Sequence, residues 1–118
     1  MLFAGLLNQF GQKGPAEIPA KRRWTYRWCT WWAQELGIPF RFPAAHPFNP
    51  LQHLRLALAC GSSPEPVKRI FDWIWMSGEN ANDAKRFAAL CDELARLMPP
   101  AWKRAPSAAA DARGRGAL

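Results

Sequence analysis

The chain has 118 residues, 49% of them apolar and 13% aromatic, with 16 Lys+Arg against 9 Asp+Glu. That length and composition suit one small folded unit and exclude a chain kept unfolded by its own composition. No apolar run approaches the ~20 residues of a membrane-spanning helix, and Met1 to Phe10 lack the basic leader and cleavage site of a signal peptide, so a cytoplasmic protein without a membrane partner is expected.

At the start of the chain, Leu2, Phe3, Leu6, Leu7 and Phe10 recur at helical spacing and Gly11 follows them, which predicts a short helix over 2–10. Residues 11–19 hold two glycines and two prolines and read as a loop. Next, Trp24, Trp28, Trp31, Trp32 and Leu36 mark one face of a helix over 20–36, closed by Gly37 and Pro39. Periodicity of this kind normally marks a buried face, so the tryptophans are assigned to the core rather than to a base-stacking platform. Cys29, in the same helix, is read as a small core residue rather than a nucleophile.

The prolines of 38–43 predict an extended linker laid over the core. Asn49 and Pro50 supply a cap and a first turn for a helix over 50–60 whose apolar face is Leu51, Leu54, Ala57 and Leu58. Ser63-Pro64 opens another over 64–77, with Val67, Ile70, Phe71, Ile74 and Trp75 inward, and Asn82 or Asp83 caps a last one over 83–97 with Phe87, Leu90, Cys91, Leu94 and Leu97 inward. No hairpin signal appears, so the fold class is mainly α. From Met98 the pattern stops, and 98–118 read as a low-complexity basic tail expected to be disordered.

The net charge of +7 is partly a property of that tail, where Lys103, Arg104, Arg113 and Arg115 face only Asp111. In the body the dense cluster is Lys21-Arg22-Arg23 with Arg27, which suits phosphates, a small anion, or water. Cys29, Cys60 and Cys91 form no CxxC pair, and His46 and His53 have no ligating partner at metal spacing, so neither a disulfide framework nor a metal site is expected. Nucleotide-binding glycine patterns and the GxSxG nucleophile turn are missing as well.

Three stretches carry a resemblance. They are Lys21-Arg22-Arg23-Trp24-Thr25-Tyr26-Arg27, then Trp32 to Pro43, then His46-Pro47-Phe48-Asn49-Pro50-Leu51 with Arg55 to Ala59. They resemble the helical insertion of the 2-hydroxychromene-2-carboxylate isomerases, within the DsbA-like thioredoxin-fold group that includes the kappa-class glutathione transferases. The run Val67 to Trp75 is similar to the same family, and the resemblance spans 1–97.

It implies a helical insertion domain of a DsbA-like thioredoxin fold and glutathione-dependent cis–trans isomerisation, or DsbA-family oxidoreductase chemistry, on a small aromatic carboxylate. By position, Gln12 and Lys21 would be the glutathione- or substrate-binding residues, and no catalytic residue is assigned. The family's Tyr and Asp are replaced by Trp24 and Trp28. Its first strand, with the Ser-Pro turn, would lie before Met1, and its cis-proline segment after Leu97. The chain is therefore expected to be a central part that does not isomerise at an enzymatic rate alone. A small basic helical module for an anionic partner, and a remnant without function, stay open. Nucleic acid is not expected as the partner, and a dimer is left open.

Overall fold

The computed structural model describes residues 2–98, and the basic tail expected from the sequence lies outside those residues apart from Met98. Five helices follow one another: α1 (Phe3–Gln9), α2 (Pro19–Glu35), α3 (Leu51–Ala59), α4 (Pro64–Trp75) and α5 (Ala84–Leu97). Among the described residues there is no strand, so the architecture is mainly α as the sequence implies. The loop before α2 contains a short 3-10 turn, Pro15–Glu17, where the Glu17 carboxylate accepts from the Gly14 N–H at 2.8 Å. A proline at the first position and an acidic third residue favour that turn, which periodicity is too short to reveal.

The core lies between α3, α4 and α5. Leu56, Ile70, Ile74, Leu90 and Leu94 pack with Cys60 and Trp73, and Leu90 and Leu94 are 1% exposed. His53 sits among Phe48, Trp73 and Phe87, and its Nε2 donates to the Ala81 carbonyl at 3.0 Å. A carbonyl only accepts, so Nε2 carries the proton. Burial, against two nearby backbone carbonyls, lowers the pKa of this ring and keeps it neutral.

Two faces differ from what the spacing predicts. In α3 the inward residues are His53 and Leu56, with Cys60 just beyond the helix, while Leu51, Leu54, Ala57 and Leu58 are half-buried. Leu56 lies on the opposite side of this helix from Leu51, Leu54 and Leu58, so spacing alone does not set its rotation; the aromatic pocket for His53 does. Phe71 and Leu97, expected inward, are exposed at the margins of the stripes on α4 and α5. The larger correction concerns α2. Trp24, Trp28, Trp31 and Trp32 are between 41 and 64% exposed, Leu36 likewise points outward, and Ala33 is the buried residue of the helix. Amphipathic spacing identifies an apolar face but not what covers it, and nothing among the described residues packs over this one.

The expected caps are met in part: Ser63 makes no side-chain hydrogen bond at the start of α4, and Pro50 stands at the cap of α3 and not at its first helical position. Asp83 accepts from the Arg86 N–H at 2.8 Å and starts α5. Asn49 accepts from the Leu51 N–H at 3.0 Å across Pro50. Gly37 closes α2 at φ +65°, a conformation that costs glycine least.

Candidate functional site

Residues 38–48 cross from the end of α2 to the start of α3, and backbone bonds hold them against the end of α4. The Arg41 N–H donates to the Trp75 carbonyl at 2.6 Å, and the Ala44 N–H to the Glu79 carbonyl at 3.0 Å. A second set of bonds ties the same strap to α2. Arg22 donates to the His46 carbonyl at 2.7 Å and to the Ala16 carbonyl at 3.4 Å, and its guanidinium lies over the Tyr26 ring. The Tyr26 hydroxyl lies 2.5 Å from His46 Nδ1 and 3.2 Å from the His46 carbonyl.

Between these elements opens a cleft of about 460 Å³, lined by Thr25, Tyr26 and Cys29 of α2, Ile38, Phe40, Phe42 and His46 of the strap, and Phe71, Asp72 and Trp75 of α4. That volume falls in the range of small-molecule sites, and so does the chemistry: apolar walls with a few polar groups. Phe40 stacks on Trp75 with centroids 5.8 Å apart, and the Tyr26 ring lies 4.5 Å from Phe42. Walls of this kind accept a flat, polarisable ligand through stacking and edge contacts.

His46 supplies the cleft's orienting polar group. Burial, and then the positive Arg22 beside it, lower its pKa, so the ring is neutral near pH 7. The Tyr26 hydroxyl and His46 Nδ1 share one hydrogen bond, and the same hydroxyl reaches the His46 carbonyl. Arg22 and Tyr26 therefore fix the orientation of the His46 ring and leave Nε2 as its second hydrogen-bonding atom. Cys29, expected in the core, is half-buried and lines this cleft, whereas Cys60 and Cys91 pack in or against the core, where burial raises the pKa of their thiols.

Lys21 and Gln12, the binding residues implied by the resemblance, stand outside the cleft lining. Both are exposed, Lys21 in the first turn of α2 and Gln12 in the turn after α1, where its N–H donates to the Leu7 carbonyl at 2.9 Å; no hydrogen bond joins the two. No group of three or more metal-ligating side chains is present among the described residues. The roles of Tyr26 and His46 are invisible in sequence, because they depend on a strap that brings residues 20 positions apart into contact. The i, i+4 spacing of Arg22 and Tyr26 on the face opposite the tryptophans is the signal that could have found them.

Residues 1–95 match the family of the DSBA-like thioredoxin domain. The chain belongs to that family. No curated protein and no solved structure matches it. Its helices are thus the helical part of a DsbA-like domain, and none of those described is long and apolar enough to cross a membrane.

Proposed function

We propose that this DsbA-like chain is the ligand-binding helical part of a glutathione-dependent cis–trans isomerase of aromatic carboxylates of the 2-hydroxychromene-2-carboxylate type, and that alone it does not turn over substrate at an enzymatic rate. The observation that carries the reading is the ring-lined cleft, whose volume and flat apolar walls suit a bicyclic aromatic acid. His46 offers its second ring nitrogen as a hydrogen-bonding group for the ligand, and Tyr26 with Arg22 holds that ring in place.

Glutathione fits the residues outside the cleft. The Lys21 ammonium is exposed and has no ion-pair partner among the described residues, so it is available to a carboxylate, and the Gln12 amide is equally accessible. When bound, glutathione supplies a nucleophilic sulfur. The chain's own contributions are to hold the tripeptide's carboxylate at Lys21, to stack the substrate ring, and to exclude water with Phe40, Phe42 and Trp75. A reducing compartment such as the cytoplasm is the setting this reading takes, because thiols are kept reduced there.

Titration calorimetry with reduced glutathione tests the reading. Lys21→Ala is expected to weaken binding by about 1.5–3 kcal/mol, the range of a charge-assisted hydrogen bond. Equal affinity in both proteins removes Lys21 from the site, and absence of binding in both removes glutathione.

A further inference from the structure

We infer that the exposed tryptophan face of α2 is a self-association surface, packing antiparallel against α2 of a second copy of this chain. This inference is independent of the isomerase reading. Lys21, Trp24, Trp28, Trp31 and Glu35 lie at i, i+3, i+7, i+10 and i+14, the spacing that keeps side chains on one seam between two paired helices. All five are exposed, and the tryptophans form a continuous ladder: Trp24 stacks on Trp28 at 5.7 Å, Trp28 meets Trp32 edge-on at 6.3 Å, and Trp32 meets Trp31 at 5.1 Å.

The seam is palindromic in charge. A two-fold axis through Trp28 sets Lys21 of one copy opposite Glu35 of the other, since the two residues lie seven positions either side of Trp28. It also sets Trp24 opposite Trp32 of the second copy, four positions either side. Such an interface complements itself, as closed two-fold symmetry requires. Neither Lys21 nor Glu35 has an ion-pair partner among the described residues, so both are free to pair across it. The helix ends agree: the positive end of each α2 dipole meets the negative end of the other.

This occupant explains why a face with the periodicity of burial is bare in one copy. The half-exposed tryptophans offer roughly 300–500 Å² of ring surface, against about 800 Å² per partner in a standard stable interface. Arg27 lies beside the axis and approaches its own copy, and each chain carries +7. A reversible dimer is the result, not an obligate one. In the dimer the Lys21 ammonium pairs with Glu35 and competes with glutathione for the same group; Trp28→Glu, which leaves Lys21 in place, keeps the two readings distinguishable.

Sedimentation equilibrium over a concentration series decides the matter. The wild type is expected to pass from 13.3 kDa toward twice that mass as its concentration rises into the range of about 10–100 μM. Trp28→Glu, which puts two carboxylates at the axis, is expected to stay monomeric with an unchanged helical circular dichroism spectrum. Glu35→Lys is expected to weaken the dimer about tenfold, and Lys21→Glu in the same chain to restore it, a rescue that a fold defect cannot imitate. A wild type that remains at 13.3 kDa throughout overturns the proposal. A dimer indifferent to Trp28→Glu, or a charge swap that fails to restore pairing, does so equally.

Discussion

The three-helix core of α3, α4 and α5 and the outer face of α2 both carry large apolar residues at helical spacing, yet one is sealed and the other open. Leu90 and Leu94 are 1% exposed, while Trp24, the largest kind of apolar side chain, is 64% exposed. What separates them is the presence of a covering element. α5 has α4 opposite it, whereas α2 is attached by its other side through Arg22, Tyr26 and Ala33. Residue type thus says little about energetic weight here; position relative to a second layer decides it.

The sharpest way to break that comparison is to truncate the core. Leu90→Ala removes a fully buried side chain held among close-packed neighbours, and is expected to cost about 3 kcal/mol, since large-to-small changes at such sites cost about 2–5 kcal/mol. Urea denaturation with an unchanged slope measures it. A loss below about 1 kcal/mol would mean that the α3–α5 layer is loosely packed and that the contrast with α2 is false.

A pH titration sharpens the comparison from another side, with a smaller and graded effect. His53 in the core and His46 in the strap both have pKa values lowered in the fold, in each case chiefly by burial. Between the folded pKa and the unfolded value of about 6.5, the unfolded chain binds more protons than the folded one, so stability rises with pH in that window. The contribution is present above about pH 6.5 and is lost as pH falls through the folded values. In His53→Gln the core share of this acid sensitivity disappears and the His46 share remains. Denaturation midpoints at pH 7.5 and pH 5 that coincide in the wild type would contradict both assignments.

The five helices were legible because each carries local signals: an apolar stripe in all, a proline or Asp start at or near the first turn of α2 to α5, and a positive-φ glycine after α1 to α4. The DsbA-like family was legible from short runs such as His46 to Leu51, and the isomerase branch within it stays a proposal. The cleft was not. Its polar centre joins Tyr26 to His46 across a strap, and no periodicity encodes a contact between residues 20 apart in a loop and a helix. The exposure of the tryptophans was hidden for a different reason. An apolar stripe points in a direction without naming what it faces, and for α2 the covering surface lies outside the described residues of one copy.

The smallest effect is expected where the side chain is largest. In dilute solution, where the chain is monomeric, Trp24→Ala should change stability by no more than about 0.5 kcal/mol, although it deletes an indole. Most of that ring is already in water, so its removal forfeits little transfer free energy. The substitution also removes the stack on Trp28, and an aromatic pair contributes about 0.5–1.5 kcal/mol at most. Against it stands the higher helix propensity of alanine, which returns about 0.5 kcal/mol at an exposed position in the middle of a helix. The two nearly cancel. Repeating the measurement at a concentration where the dimer forms should reveal a deficit, because partner binding stabilises the folded state by mass action and Trp24 belongs to that seam. A loss above about 2 kcal/mol in the dilute monomer would show that α2 is covered within one copy, and would erase the distinction between its outer face and the core.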